Sequence, residues 1–485
     1  MSSSNRAAMA KTLPHHVIIQ SNDNNRYARF DSGNQLLPNA LRFEGEYSFG
    51  IETRFEVVPA TTTTATGFVH IRCLQNNKYW SNSGYWVTAT AVKPEEDTSN
   101  KNCTLFQPVF LKLNDNNHHV VKLRHANTGN LVRNLRMHND KNDYNGCLTL
   151  GPKLLQPDDD NTDVCTFIDW ESVVMLPDVI RIKGDNGNHL RAYADGFMDF
   201  QSKADNSSMY DYEVSPTRDG GIRLKNTHFG TYWTDMDSVC FVRLQKADHE
   251  DHDTKTIFLP VKFDGNRIRI RSFKNGNFCK RYDASYWSYS NKTCLATTYK
   301  YGEQPCHMEI EEPVLARTIS NVIYQLTSAR IYDERTDALI TDDSRNKTLH
   351  PQTSEVNLKT TVTNTTNWRT SVSIKQGVKM TGTYGVPKVN SGSLEISREA
   401  TKSWNQEKTE TEIIEVGCVR TVTVPPMSRV KTSLMATRCS YDIPFSYTQR
   451  DVLMNGNTRV CTKNDGLFKG ESGYNYNYEM DELSL

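Results

Sequence analysis

Residues 372–386 read VSIKQGVKMTGTYGV, and apolar or aromatic side chains occupy six of the eight even-numbered positions. The alternating set consists of Val372, Ile374, Gln376, Val378, Met380, Gly382, Tyr384 and Val386. The residues between them are polar or glycine. Successive side chains of a β-strand point to opposite faces, so this pattern predicts a strand with one apolar and one polar face. Turn-forming residues fill 387–393, and Leu394 and Ile396 then resume the alternation, which predicts a two-sided β-hairpin.

This hairpin has two interpretations. A membrane-spanning β-strand needs only about 9–11 residues and alternates lipid-facing with lumen-facing positions, so the first strand is long enough to cross a bilayer. An antiparallel strand with one buried and one solvated face shows the same alternation. Arg398 and Lys402 fall on the face that Leu394 and Ile396 begin, so the second strand is imperfect. Periodicity alone leaves both interpretations open.

Composition favours an all-β protein of several domains. The chain has 485 residues, more than one hydrophobic core usually serves, so roughly two to four domains are expected. Asn, Thr, Gly and Tyr are plentiful, and few long stretches show apolar residues at helical spacing. The 57 basic residues balance the 57 acidic ones, which argues against nucleic acid as a partner.

Targeting signals and cysteines bear on location. No run of about 18 apolar residues occurs, so no transmembrane helix is expected. The first sixteen residues lack the apolar segment of a signal peptide, and the eleven cysteines include no Cys-x-x-Cys pair. We therefore expect a soluble form that is cytoplasmic or nucleocytoplasmic, because a disulfide framework belongs to secreted chains.

Six short segments before residue 314 resemble one another. Each reads as a strand with apolar residues on one face, a turn containing Asn or Gly, and then an aromatic residue or Leu. The closing residues are Tyr27, Tyr79, Leu131, Leu190, Tyr232 and Phe278. Their spacings of 52, 52, 59, 42 and 46 residues suit about four short strands each. A β-propeller has repeats of similar length, but no blade signature recurs and the spacing is uneven. Three such units make a β-trefoil, so two tandem trefoils are predicted, over residues 12–171 and 177–313.

Two of the six repeats close on a Tyr-Trp pair. Tyr79 and Trp80 follow Asn76 and Asn77, and Tyr232 and Trp233 stand in the fifth repeat. Asn donates and accepts hydrogen bonds, and an aromatic ring stacks on the C–H face of a sugar, so these six residues are candidate carbohydrate-binding residues. The alternative is that the aromatic residues pack the trefoil cores, because every repeat has a large residue there. The sequence does not choose between the two trefoils.

The repeats and the two Tyr-Trp pairs together resemble the agglutinin domains of amaranthin-type plant lectins, over roughly residues 12–313. This resemblance implies binding of galactose-type and N-acetylgalactosamine-type glycans in shallow sites. It also implies a homodimer, because the sites of amaranthin lie where two subunits meet head to tail.

Residues 315–485 differ from the repeats in composition and in hydrophobic pattern. About half of residues 353–373 are Ser or Thr, and Val356, Leu358, Thr360 and Val362 share one face. With the hairpin that follows, this region resembles the aerolysin-type pore-forming module, in which long Ser/Thr-rich strands flank an amphipathic tongue. The resemblance implies an elongated antiparallel β module whose tongue inserts into a target membrane after homo-oligomerisation. The residues expected to insert are Val372, Ile374, Val378, Met380, Tyr384, Val386, Leu394 and Ile396.

The leading hypothesis is a lectin coupled to a β-pore-forming module, in a plant defence or stress protein. The alternative is a multivalent lectin whose C-terminal domain serves only oligomerisation or partner binding. A glycosidase would need two carboxylates about 5–10 Å apart, and no catalytic motif is recognisable. The polar run His249–Asp253 lacks the spacing of a metal site. We therefore expect neither enzyme activity nor a cofactor or metal.

Overall fold

The computed structural model describes residues 12–48, 50–62, 65–114, 118–137, 143–151, 161–217, 220–236, 241–246, 253–265, 267–283, 293–299, 304–370, 379–390, 392–403 and 409–484. Within them the secondary structure consists of β-strands and short 3-10 helices, which confirms the all-β prediction. The 3-10 helices are Ile51–Thr53, Asn161–Asp163, Trp170–Ser172, Ser208–Tyr210, Thr254–Thr256, Gln304–Cys306 and Leu326–Ser328. None of the helices in these ranges is long and apolar enough to cross a membrane.

The first sheet contains twelve strands. They are β1 (His16–Ser21), β2 (Tyr27–Asp31), β3 (Ala40–Gly45), β4 (Phe55–Pro59), β5 (Val69–Cys73), β6 (Tyr79–Ser83), β7 (Trp86–Ala91), β8 (Phe106–Leu113), β9 (His119–His125), β10 (Arg133–Asn134), β11 (Leu148–Thr149) and β12 (Cys165–Asp169). Six of them close into a ring in the order β1, β4, β5, β8, β9 and β12. The others form the hairpins β2–β3, β6–β7 and β10–β11.

A second sheet of twelve strands repeats this plan. It contains β13 (Val179–Lys183), β14 (His189–Ala192), β15 (Met198–Ser202), β16 (Tyr212–Pro216), β17 (Ile222–Asn226), β18 (Tyr232–Asp235), β19 (Val242–Gln245), β20 (Phe258–Asp264), β21 (Arg267–Ser272), β22 (Phe278–Asp283), β23 (Thr293–Tyr299) and β24 (Met308–Glu311). Its ring is β13, β16, β17, β20, β21 and β24. Three hairpins complete it: β14–β15, β18–β19 and β22–β23. A six-stranded ring with three hairpins is the strand arrangement that a trefoil requires, and we call the two sheets trefoil 1 and trefoil 2.

The six sequence repeats correspond to one recurring turn between a ring strand and the strand after it. One residue in each turn has a left-handed backbone: Asn25 (φ 57°), Asn77 (φ 55°), Gly129 (φ 70°), Gly187 (φ 77°), Gly230 (φ 67°) and Gly276 (φ 72°). Gly and Asn are the residues that adopt this conformation at least cost, which explains why they recur at this position.

Ten further strands follow the trefoils. They are β25 (Val314–Tyr324), β26 (Arg330–Asn346), β27 (Gln352–Arg369), β28 (Lys379–Tyr384), β29 (Pro387–Asn390), β30 (Ser393–Ile396), β31 (Ala400–Ser403), β32 (Glu410–Val424), β33 (Ser428–Leu453) and β34 (Thr458–Ser484). Eight of them form one sheet in the order β31-β28-β25-β33-β34-β27-β32, with β26 paired to β33. The strands β29 and β30 form a separate two-stranded sheet.

The chain divides into two compact units. Unit 1 contains both trefoils, and unit 2 contains most of the long strands, with segments Ala316–Ser371, Lys379–Asp451 and Arg459–Leu485. The elongated antiparallel prediction for the third region is confirmed by β27 and β32, which pair without interruption from Gln352 opposite Val424 to Thr366 opposite Glu410. One pairing departs from it, because β25 and β28 run parallel.

The Ser/Thr-rich strand β27 buries its apolar face. Val356, Leu358 and Val362 are buried, as the alternation of the sequence predicts. Val356 and Leu358 belong to a cluster with residues of β32 and β33. The two trefoils each have a core cluster of their own, one within residues 17–167 and one within residues 180–308.

Candidate functional site

The Tyr-Trp pair of trefoil 1 lies in the core. Trp80 has no exposed surface, and its ring meets those of Phe55 and Phe106 edge to face at centroid distances of 5.2 and 6.1 Å. Tyr79 is 1% exposed. A ring without exposed surface offers no face to a sugar, so the prediction that these two residues contact a glycan is wrong for this conformation. The core-packing alternative accounts for both.

The second pair differs in its first member. Trp233 is fully buried, and its ring packs edge to face on Tyr212 at 5.8 Å and on Phe258 at 5.5 Å. Tyr232 is only half-buried, with the Lys225 ammonium 5.6 Å from its ring centroid. Trp233 is therefore a core residue, whereas Tyr232 remains a candidate for ligand contact.

Asn76 and Asn77 are structural residues of the recurring turn. Asn76 Oδ1 accepts a hydrogen bond from the Lys78 N–H at 3.1 Å, and its Nδ2 donates to the carbonyl oxygen of Ala89 at 2.9 Å. Asn77 occupies the left-handed position and accepts from Arg72. Both are at least 94% buried and do not face solvent; the Asn76 amide holds the turn against β7, and the Asn77 amide joins it to β5.

The first repeat has the same arrangement. Asn24 accepts from the Arg26 N–H at 3.0 Å and donates to the Phe43 carbonyl at 3.0 Å. Asn186 in the fourth repeat makes the same pair of hydrogen bonds, so the asparagine that we predicted to bind sugar is a turn residue that recurs in at least three repeats. The placement of Asn76 and Asn77 corrects their assignment as sugar ligands.

The predicted hairpin contains two successive pairs of strands. Strand β28 pairs with β31, and beyond it β29 pairs with β30, from Pro387 opposite Ile396 to Asn390 opposite Ser393. The prediction of a turn over residues 387–393 is therefore wrong. Proline is tolerated as the first residue of a strand, and the turn needs only the short link that contains Gly392, whose φ is 77°.

Some predicted insertion residues are not placed. Val372, Ile374 and Val378 lie outside the described residues. Met380 belongs to β28. The burial of the predicted insertion residues can therefore be described only for Tyr384, Val386, Leu394 and Ile396.

Most apolar residues of the hairpin from Tyr384 onward are buried or half-buried in the hydrophobic cluster of unit 2. Tyr384 and Val389 are 1% and 5% exposed, and Val386 and Leu394 are half-buried against the same cluster. Ile396 departs from this pattern, because it is 43% exposed. We call the aromatic residues under the hairpin the seat; they are Trp368, Tyr441, Phe445 and Phe468.

Aromatic packing joins the hairpin to the seat. The rings of Tyr384 and Trp368 meet edge to face, with centroids 4.6 Å apart. Trp368 in turn meets Phe445 at 5.3 Å and Phe468 at 4.6 Å in the same manner. The hairpin thus covers one side of the aromatic cluster formed by residues of the long strands.

Two phenol hydroxyls bind the backbone of the hairpin. Tyr324 donates to the Gly385 carbonyl oxygen at 2.5 Å, and Tyr441 donates to the Pro387 carbonyl oxygen at 3.1 Å. Burial raises the pKa of both tyrosines, so each hydroxyl keeps its proton and stays a donor at neutral pH. At the solvent edge, Lys388 Nζ lies 2.7 Å from a Glu412 carboxylate oxygen.

Glycines in β34 make room for the seat. A Cβ atom at Gly470 would lie 2.4 Å from the Tyr441 ring, and one at Gly466 would lie 2.4 Å from the Phe445 ring. The two rings therefore lie flat against the backbone of β34, at positions where any other residue would displace them.

Sequence reasoning missed the seat, although a signal existed. Tyr441, Ile443, Phe445 and Tyr447 alternate along β33 and are all buried. This second apolar face is complementary to that of the hairpin. Sequence separation concealed the match, because Tyr441 and Pro387 are 54 residues apart.

One cluster of metal-ligand atoms occurs in the part of the chain that the structure describes. Atoms of His15, His16 and Glu56 lie within 4.8 Å of one another. Glu56 already accepts from Arg72 Nε at 2.6 Å and faces His15 at 3.3 Å. A guanidinium at this distance competes with a cation, so the cluster is better described as an ion-pair network.

Comparison with known proteins defines the class of the first trefoil. The family model of the agglutinin domain matches residues 11–169. This segment ends where β12 closes the first ring. The chain is thus an all-β, multidomain protein that carries an agglutinin domain.

Among individual proteins, the chain is similar to Natterin-1 of Thalassophryne nattereri, with 26% identity over 157 residues. The match covers 32% of this chain and 44% of Natterin-1, so the chain spans less than half the length of this relative.

The chain is also similar to two solved structures. The lamprey immune protein has 14% identity and a TM-score of 0.32, over 64% of this chain and 100% of that one. The hemolytic lectin CEL-III has 10% identity and a TM-score of 0.32, over 95% of this chain and 92% of that one. TM-scores of this size support no inference about function.

Proposed function

We propose that this chain is a glycan-binding protein that acts on membranes, with unit 1 as the lectin and the hairpin of unit 2 as the inserting element. The agglutinin domain supports the first half. The observation that carries the second half is the storage of Tyr384, Val386, Val389 and Leu394 against the seat. The apolar face of the hairpin is buried against the seat while the protein is in water. If the hairpin detaches from the seat, the same face becomes available to lipid.

The side-chain attachments at the β29–β30 end of the hairpin suit release of that end. Its hydroxyl-to-carbonyl bonds contribute roughly 0.5–1.5 kcal/mol each, and its exposed ion pair contributes roughly 0–1 kcal/mol. A single hairpin in hydrocarbon would leave backbone N–H and C=O groups without partners, at several kcal/mol each, so insertion requires several copies. Glycan binding would gather those copies by raising their local concentration on a membrane.

The narrower expectations from the sequence remain part of this proposal. They are a preference for galactose-type and N-acetylgalactosamine-type glycans, a homodimer or larger homo-oligomer, and a role in plant defence or stress. They also include a cytoplasmic or nucleocytoplasmic soluble form, and a mode of action without enzyme activity.

Dye release from lipid vesicles tests the proposal. The vesicles carry a glycolipid that ends in N-acetylgalactosamine, and leakage is measured with and without the free sugar. Met380→Asp places a charge on the face expected to meet lipid, at a cost of about 2–4 kcal/mol near the bilayer centre. Thr381→Asp is the matched control, since it changes the adjacent position on the opposite face.

We expect Met380→Asp to abolish leakage and Thr381→Asp to preserve it, with equal glycan binding by both. Leakage that the free sugar does not suppress would remove the lectin as the targeting element. Absence of leakage from wild-type protein that binds the glycolipid would favour the alternative, a multivalent lectin with a non-inserting C-terminal domain.

A further inference from the structure

Trefoil 1 contains an open cavity of about 440 Å³ that none of the predicted sugar residues lines. Its wall combines the first recurring turn, the end of β3 and the segment around β10. The residues that matter for its chemistry are Asp23, Glu44, Asn134, Arg136, Met137 and Asn145. A volume of this size falls within the range of small-molecule sites, about 300–1,000 Å³.

A buried carboxylate is fixed in this wall. The side chain of Asp23 has no exposed surface, and its Oδ2 accepts from Asn134 Nδ2 at 2.8 Å and from Arg136 Nε at 2.7 Å. The Arg136 guanidinium also reaches Oδ1. This pairing holds Arg136 in place at the rim of the cavity, where its side chain is 55% exposed and its N–H groups can donate to a ligand hydroxyl.

The opposite wall is also pre-organised and charge-matched. Arg42 binds Glu44 and lies 3.2 Å from Asp31, and its Nη2 donates to the Asn145 carbonyl oxygen at 2.7 Å. The Asn145 side chain accepts from the Met137 N–H at 3.1 Å. Each guanidinium named here is thus paired with a carboxylate within the wall.

The equivalent place in trefoil 2 is built differently. Asp185 stands two residues before the left-handed Gly187, as Asp23 stands two before Asn25. Its partner is Arg281, which donates to both carboxylate oxygens at 2.6 and 3.0 Å. Arg281 follows Gly276 by five residues, as Asn134 follows Gly129. In trefoil 2 the guanidinium comes from the position that Asn134 occupies in trefoil 1, whereas in trefoil 1 it comes from Arg136, two residues further along.

We propose that this cavity of trefoil 1 is a binding site for a neutral, polyhydroxylated ring, that is, an uncharged monosaccharide unit of a glycan. Hydroxyl groups both donate and accept, so they match a wall of carboxylates interleaved with guanidinium and amide N–H groups. An anionic sugar would face Glu44, whose counter-ion Arg42 is already engaged. The Met137 side chain, 37% exposed, gives the C–H face of the sugar an apolar contact.

This inference rests on the proposed lectin function and locates its site. It is tested with the full chain by isothermal titration with N-acetylgalactosamine, galactose and glucose, and with N-acetylneuraminic acid as the anionic sugar. The main variant is Arg136→Gln, because Arg136 lies at the rim with its side chain 55% exposed. A second variant, Asn134→Arg, copies the residue of trefoil 2. The matched control is Arg281→Gln, which removes the equivalent pair in trefoil 2.

We expect a neutral sugar to bind wild-type protein, and each trefoil 1 variant to lose at least about tenfold in affinity, the effect of one charge-assisted hydrogen bond. The control is expected to bind as wild type, and thermal unfolding of Arg136→Gln should match that of wild type. Neutral-sugar binding that both trefoil 1 variants retain would overturn this site but leave the lectin function intact. Binding of N-acetylneuraminic acid alone would overturn the ligand class. Failure of folded wild-type protein to bind any sugar, or a glycolipid, would overturn the lectin function itself.

Discussion

Trp80 in trefoil 1 and Trp368 in the seat are both at most 1% exposed, yet they are covered in different ways. Trp80 packs on Phe55 and Phe106, which belong to the ring strands β4 and β8. Each ring strand is paired on both sides, so nothing in the ring can leave alone. Trp368 is covered in part by Tyr384, the last residue of β28, which pairs with β31 but lies beyond the residues of β28 that pair with β25. Burial measures how well a side chain is covered, whereas strand pairing determines whether the cover can be removed.

Truncation of the two tryptophans should separate these cases most strongly. Trp80→Ala should lower the free energy of unfolding of trefoil 1 by about 3–5 kcal/mol, because the closed ring cannot collapse into the space. Trp368→Ala removes the same atoms, but the hairpin can shift over the gap, so we expect a smaller loss. Urea denaturation, followed by hydrogen exchange for each region, measures both. Equal costs, with unchanged exchange in residues 379–396, would contradict the comparison.

Removal of the Tyr324 and Tyr441 hydroxyls should weaken the attachment of the hairpin to the seat without destabilising the trefoils. The double variant Tyr324→Phe/Tyr441→Phe removes both bonds to the hairpin backbone, worth together about 1–3 kcal/mol. Hydrogen exchange in β29 and β30 should accelerate accordingly, and sugar binding should not change. Tyr474→Phe is the control, since its hydroxyl binds Glu334 and not the hairpin. A double variant that exchanges like the control would show that packing alone holds the hairpin.

pH should affect the two regions in opposite directions. Burial lowers the pKa of His70 and His125 in trefoil 1, so their contribution to stability is present above about pH 6.5 and is lost as pH falls through the lowered pKa. Burial raises the pKa of Tyr384 to about 12, so its contribution is present below about pH 10 and is lost as pH rises towards 12.

Hydrogen exchange corrected for its intrinsic pH dependence measures this contrast. Trefoil 1 should lose protection between pH 6.5 and 5, by less than in the truncations, while the seat does not. His125→Gln should reduce the acid sensitivity, because it removes one of the histidines of trefoil 1 whose pKa is lowered by burial. An acid response confined to β29 and β30 would refute the assignment.

The smallest effect is expected at the rim of the hairpin. Lys388 and Glu412 form an ion pair whose side chains are 45% and 51% exposed. Lys388→Met should therefore destabilise the docked hairpin by at most about 1 kcal/mol, and by less in high salt. Exchange rates of β29 at two salt concentrations provide the measurement. A loss larger than that of the tyrosine double variant would mean that charge, rather than the seat, holds the hairpin.

Features that repeat along the chain were predictable from the sequence. The six turns and the alternation of Tyr384 with its neighbours follow from backbone geometry, which a sequence records directly. The role of Trp80 was not predictable, because a core position and a sugar platform require the same aromatic side chain. The turn near Pro387 was placed too broadly, because Pro, Gly, Ser and Asn also occur in short edge strands next to tight turns.

The cavity of trefoil 1 was beyond sequence reasoning for another reason. Its two central residues, Asp23 and Asn134, are 111 positions apart and meet only when the first and third repeats close the ring. Asp23 does not stand out locally, since polar residues fill the same turn in other repeats, and Asn134 belongs to a strand of only two residues. A site assembled across repeats becomes visible only in three dimensions.

The separate ribbon of β29 and β30 has a consequence for the behaviour of the protein on storage. In the part of the chain that the structure describes, these strands pair only with each other, so the ribbon keeps open edges that a second molecule could extend into a fibril. Lys388 stands opposite Glu395 across the ribbon, and Asn390 donates to Glu395 at 3.2 Å. Charges of this kind discourage edge-to-edge stacking. The polar face of the ribbon therefore opposes edge-to-edge association between copies of the chain.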